Sequence, residues 1–113
     1  MYQVLKRDGE TAEFNISKIA VAITKAFEAQ GKQYHPSVID LLALKVTADF
    51  DYKIKDNLIS VEDIQDSVES VLIQAGYADV AKAYILYRRQ REKIRNMKST
   101  ILDYKDLVDS YLN

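Results

Sequence analysis

Three cations lie close together near the start of the chain: Lys6 and Arg7 just before an Asp8-Gly9 pair, and Lys18 eleven residues beyond Arg7. Held rigidly, such groups bind polyphosphate through charge-assisted hydrogen bonds. Asp-Gly between two short runs is a strong hairpin signal. A type I′ turn needs positive φ at both central residues, which Asp tolerates and Gly adopts freely. The hairpin would set Lys6 and Arg7 side by side at the end of its first strand. With a two-residue turn, Val4, Lys6, Thr11, Glu13 and Asn15 share one face and Arg7 points to the other. The second strand leads almost directly into a helix, with Ser17 as the expected N-cap and Lys18 in the first turn. Outward backbone N–H groups at that helix start favour an anion. An Asp-Gly turn flanked by Lys and Arg is, taken alone, usually a solvated turn. Asn15 and Lys18 are what make this one worth pursuing.

A second set of cations sits late in the chain: Arg88, Arg89, Arg91, Lys93, Arg95 and Lys98. Cations complement the negative end of a helix, so a solvated helix end is one reading. A nucleic-acid face is another, without aromatic interleaving or a recognition motif to support it. The third is that Arg88 and Arg91, one turn apart, share an inward face. Catalytic chemistry is not visible. His35, the single histidine, precedes Pro36 in a loop with no partner constellation near it. The Gly-x-x-x-x-Gly-Lys and Gly-x-Gly-x-x-Gly phosphate loops are absent. No metal-ligand spacing, carboxylate pair or nucleophile–base pair stands out. The residues show no hydrolytic machinery.

The elements that must position these groups follow from periodicity. Ile16, Ile19, Ala20, Ile23 and Phe27 recur at helical spacing, ending near Gly31. Pro36 suits the first turn of a second helix carrying Ile39, Leu42, Ala43, Val46 and Phe50. The pattern fades through Asp51–Asn57, and Leu58-Ile59 could add a third strand to a hairpin that is marginal alone. Ser60 is the expected N-cap of a third helix, with Asp63 placed as in a capping box. Its buried face would be Val61, Ile64, Val68, Val71, Leu72 and Ala75, with Gly76 ending it. A fourth helix starts near Asp79, with Val80, Ala83, Tyr84, Tyr87 and Ile94 on one stripe. Tyr84 and Tyr87 need only pack there, although one could stack on a base. From Ser99 the pattern weakens, and Leu102–Leu112 reads as a short helix or a tail. The fold class is therefore α+β, mostly α: a four-helix bundle capped by a β-hairpin or small three-stranded sheet.

Composition agrees with one modest domain. The chain has 113 residues, 48% of them hydrophobic, and a net charge of −1. A protein bound to nucleic acid mainly by charge would be more basic. Cysteine is absent, which removes disulfides, a zinc ribbon and thiol chemistry. No signal peptide or membrane-length apolar run is present, so the expected location is cytoplasmic.

Val4, Lys6-Arg7-Asp8-Gly9, Phe14-Asn15 and Lys18-Ile19 together resemble the N-terminal motif of the ATP-cone domain. That regulatory module stands at the front of ribonucleotide reductases and at the back of a repressor of their genes. The resemblance covers roughly residues 2–95, which places an ATP-cone at 1–98 and leaves 99–113 as a linker or short helix. It implies that Val4 and Ile19 line the base or sugar pocket, with Ile64 closing it from the third helix. It further implies that Lys6, Arg7 and Lys18 hold phosphates and that Asn15 meets the sugar. The inward arginine, Arg88 or Arg91, would join them. Val4, Ile19 and Ile64 could equally be plain core. Ala12 stands where aerobic members carry an acidic residue, with Glu13 one place on, so the sugar contact given to that carboxylate is in doubt here.

The implied function is allosteric: ATP or dATP, with magnesium as an optional companion of the nucleotide, sets the activity of an attached reductase. The chain would have no cofactor of its own and would not itself be an enzyme. Its partners would be adenine nucleotides and the reductase's catalytic domain, with a nucleotide-dependent oligomer left open. Leu102–Asn113 resembles the linker of anaerobic, glycyl-radical ribonucleoside-triphosphate reductases, which favours that class as parent. Two alternatives compete. The repressor's cone follows a cysteine-bearing zinc ribbon, whereas this motif starts at residue 2 of a cysteine-free chain. A helical interaction module would bind no nucleotide at all.

Overall fold

The computed structural model describes residues 2–112, with side chains through Met97. Two three-residue strands, β1 (Gln3–Leu5) and β2 (Thr11–Glu13), precede helices α1 (Ile16–Ala29) and α2 (Pro36–Phe50). A 3₁₀ turn at Asp51–Lys53 leads to β3 (Leu58–Ser60), then α3 (Val61–Gln74) and α4 (Ala78–Leu112). β1 is the middle strand, antiparallel to β2 and parallel to β3. The third strand thus completes a sheet that two strands could not sustain.

The hairpin turn differs from the expectation. The Lys6 N–H donates to Glu10 O at 2.8 Å, and Gly9 N–H to Lys6 O at 3.0 Å. Arg7 and Asp8 are therefore the central pair of the tight turn, and only Gly9, at φ 88°, is left-handed. This is a three-residue loop whose last residue forms a bulge. Asp8 Oδ1 accepts the Glu10 N–H at 2.9 Å, which favours this form. The added loop residue changes the register: Val4 pairs with Ala12, and Glu13 with Gln3. Ala12, not Thr11 or Glu13, shares the face of Val4, because a one-residue slip exchanges the faces of a strand. A two-residue turn with both central φ values positive does occur, at Asp56 (φ 54°) and Asn57 (φ 61°). It closes Lys55 onto Leu58 and delivers the chain into β3.

Helix ends show one further difference. Asn15, not Ser17, caps α1: its Oδ1 accepts the Ser17 N–H at 2.9 Å. The hairpin's extended backbone reaches Asn15, and the helix has begun by Ile16. Ser60 caps α3 by accepting the Asp63 N–H at 3.1 Å. The Asp63 carboxylate lies 3.9 Å from Lys53 Nζ. Pro36 opens α2, and His35 Nδ1 accepts the Ser37 N–H at 3.1 Å. The lone histidine is an exposed cap.

Every apolar residue expected on α2's stripe is buried, and Phe50, Phe27, Ile23, Ile59, Leu72, Val46, Val68 and Val80 form the sealed centre. Each such side chain contributes roughly 1.5–3 kcal/mol through its removal from water. Tyr2 and Phe14 stack at 4.7 Å and meet Phe50 edge-on at 6.0 and 5.8 Å, so an aromatic trio pins the hairpin to α2. Ala75 falls outside the core, exposed at the end of α3. The stripe on α4 stops early. Tyr84 is 5% exposed, but Tyr87 reaches 37% and Ile94 50%, because α4 runs past the other helices. Its backbone stays helical without a break through Leu112, so no helix end falls at Ser99. The role of 99–113 as a linker rests on side chains outside the described residues.

Candidate functional site

The hairpin, α1, α3 and α4 enclose a cavity of about 380 Å³. Its apolar lining comes from all four. Val4, Ala12 and Phe14 belong to the hairpin; Ile19 and Ala22 are one turn apart on α1. Val61, Ile64 and Val68 come from α3, and Tyr84 and Tyr87 from α4. The register of β1 on β2 is what places Val4 and Ala12 there together.

Five cations also line this space: Lys6 from the loop edge, Lys18 from the first turn of α1, and Arg88, Arg91 and Arg95 from α4. Glu13 is the one carboxylate among the lining residues. Lys6, Lys18, Arg91 and Arg95 make no side-chain hydrogen bond or ion pair among the described residues. An apolar slot with free cations at its edge can take a flat heterocycle and its attached anion, and a sheltered setting strengthens those contacts. Asn15 also lines the cavity, but the α1 cap occupies its carbonyl oxygen. Its amide N–H groups and the second lone pair of that oxygen remain to meet a ligand.

Burial pushes the Tyr84 phenol up to about 12, with the neighbouring Arg88 charge pulling the other way. Burial likewise works against the Arg88 charge, but bonds to Glu69 and Asp66 outweigh it and hold its pKa above the ordinary arginine value. Arg88 Nη1 donates to Glu69 Oε1 at 2.8 Å and to Asp66 Oδ1 at 3.0 Å.

Of the residues singled out from the sequence, Val4, Lys6, Asn15, Lys18, Ile19, Ile64, Arg88 and Arg91 line this one cavity. Arg7 does not. Its Nε lies 2.8 Å from Glu62 Oε1, its Nη2 donates to Gln65 Oε1 at 3.0 Å, and its Nη1 is 4.0 Å from Glu92. Arg7 braces the hairpin to α3 and α4. Arg89 and Lys93 are absent from the lining, as their helical angles require. Sequence reasoning missed Arg95, although positions 88, 91 and 95 follow the i, i+3, i+7 rule for one helix face. It also missed Gln65, which sits between Ile64 and the polar side of α3 and shows no period of its own.

A cation-edged apolar cavity between a three-stranded cap and a helix bundle is the shape of a small ligand-binding module. The chain matches the family of the ATP cone domain over residues 2–93, and it belongs to that family. It is 43% identical over 101 residues to the ribonucleoside-diphosphate reductase subunit alpha of Chlamydia pneumoniae, covering 84% of this chain and 10% of that one. To the vitamin B12-dependent ribonucleoside-diphosphate reductase of Thermoplasma acidophilum it is 40% identical over 117 residues, covering 98% and 14%. To the anaerobic ribonucleoside-triphosphate reductase of Haemophilus influenzae it is 32% identical over 103 residues, covering 88% and 14%. The chain therefore spans only about a tenth to a seventh of the length of these relatives. No helix among the described residues is long and apolar enough to cross a membrane.

Proposed function

We propose that this cavity binds ATP or dATP as an allosteric effector and reports its occupancy to a ribonucleotide reductase of which the chain is a part. The observation that carries the reading is five cations around one apolar cavity whose walls come from four separate elements. Val4, Ile19 and Ile64 pack on the base and sugar. Tyr84 and Tyr87 offer rings for stacking, and Asn15 offers N–H donors near the sugar. Lys6, Lys18, Arg88, Arg91 and Arg95 hold the triphosphate. Arg7 keeps the hairpin in place.

The chemistry is binding alone. The lone histidine caps α2. Among the described residues no three His, Cys, Asp or Glu side chains stand together to hold a metal ion. Regulation then works by population shift: a nucleotide biases the reductase only by as much as it prefers one arrangement over another. ATP and dATP differ by one hydroxyl, so the distinction must arise at the sugar. The relatives span diphosphate-reducing, B12-dependent and anaerobic triphosphate-reducing enzymes. The C-terminal stretch Leu102–Asn113 favours the anaerobic class as parent.

Calorimetric titration of the chain with ATP, dATP and adenosine tests the reading. Saturable binding of both nucleotides, tighter than adenosine, is expected, without phosphate release above a protein-free control. Absence of ATP binding by the folded chain would refute it.

A further inference from the structure

Along α3, Glu62, Gln65, Asp66 and Glu69 follow i, i+3, i+4, i+7 spacing and form a polar stripe beside the apolar one. Two arginines divide it. Arg7, from the hairpin loop, takes Glu62 and Gln65. Arg88, from α4, takes Asp66 and Glu69. The two guanidiniums are used differently. Arg7 has all three nitrogens engaged: Nε with Glu62, Nη2 with Gln65 and Nη1 toward Glu92. Arg88 meets both of its carboxylates through Nη1 alone.

A guanidinium carries five N–H donors, two of them on each terminal nitrogen. Two carboxylates account for the two on Nη1. The N–H groups of Nε and Nη2 bond to nothing among the described residues, and they form the edge that matches a phosphate bidentately. Arg88 lines the cavity, while its side chain is only 20% exposed. An arginine without such partners would sample many rotamers. This one is fixed at one nitrogen and open at the other two.

We infer that Asp66 and Glu69 are positioning residues for the nucleotide: they clamp Arg88 through Nη1 so that its remaining edge is presented to the phosphates. The inference rests on the cavity's being the nucleotide site. Simple Coulomb repulsion predicts the opposite sign, since two carboxylates near a triphosphate should weaken its binding. Position and charge therefore separate experimentally. Amide replacements keep an acceptor for Nη1 but remove the charge; alanine removes both.

The test is calorimetry of the chain with ATP and adenosine for the parent, Asp66→Ala/Glu69→Ala, Asp66→Asn/Glu69→Gln, Arg88→Ala and the triple alanine variant, with circular dichroism to confirm folding. The double alanine should lose about tenfold in ATP affinity, the scale of one charge-assisted contact, with adenosine unchanged. The amide pair should recover most of that loss. In an Arg88→Ala background the double alanine should have no further effect on ATP. Tighter ATP binding in either double variant would show the carboxylates to be competitors and overturn the inference. Equal losses for ATP and adenosine would assign them a purely structural role and overturn it too. So would an undiminished alanine effect without Arg88. If the parent itself binds no ATP, the nucleotide reading falls first, an outcome distinct from all of these.

Discussion

Tyr84 provides a quantitative test of how dry the cavity wall is. The residue is 5% exposed, its phenol makes no hydrogen bond among the described residues, and burial pushes it up to about 12. An unfolded tyrosine ionises near 10. The folded state thus holds its proton more tightly than the unfolded chain. The stability this represents is fully present below about pH 10 and is lost as pH rises from about 10 to about 12. A gap of about two units amounts to about 3 kcal/mol, of which about 2 kcal/mol would be gone by about pH 11.5. Tyr84→Phe removes the ionisation without removing a hydrogen bond. Urea unfolding of parent and variant should be compared at pH 8 and in steps to about pH 11.5. Lysines and the other tyrosines titrate in both proteins and cancel in the difference. The stability of the parent relative to the variant should fall by about 2 kcal/mol over that range. Absorbance titration of the folded proteins should show the missing phenol only at the most alkaline end. A difference constant to within about 0.5 kcal/mol would mean that Tyr84 is solvated, and the tight apolar wall assigned to it would be wrong.

Lys6→Ala and Lys18→Ala should each weaken ATP binding by about 1.5–3 kcal/mol, leaving adenosine affinity and unliganded melting temperature unchanged. A large loss of melting temperature at unchanged affinity would place both lysines in the fold's support. Arg7→Ala should behave in the reverse sense. Its contacts are part-exposed, so thermal unfolding should show a loss of about 0.5–1.5 kcal/mol, with ATP affinity altered far less than by Lys6→Ala. Asn15→Ala removes the α1 cap and should cost about 1 kcal/mol, a melting shift of about 4–8 °C by calorimetry. Unchanged melting would mean that the Ser17 N–H has another acceptor.

The sequence by itself determined the helices and most of their buried faces, because helical periodicity is a local property that survives any tertiary arrangement. Ile39, Leu42, Ala43, Val46 and Phe50 could be listed as core from their spacing, and they are buried. Pro36, Ser60 and Gly31 marked helix ends through chemistry confined to a few neighbours. The motif Lys6-Arg7-Asp8-Gly9 with Phe14-Asn15 and Lys18-Ile19 was enough to identify the family.

Tertiary structure decided which of these residues meet. The three-residue loop at Arg7-Asp8-Gly9 is compatible with Tyr2 and Phe14 reaching Phe50, a contact between distant segments, and it sets the register that brings Ala12 beside Val4. The apolar stripe of α4 continues in sequence past Tyr84. Burial ends there because the other helices do, and no residue on α4 encodes their length. From the sequence, Lys6, Arg7 and one of Arg88 and Arg91 are all expected to hold phosphates. Only the packing of the hairpin and α4 against the acidic stripe of α3 separates them. It ties up every nitrogen of Arg7, holds Arg88 by one, and leaves Lys6 free, since an ion pair forms where geometry brings charge to charge.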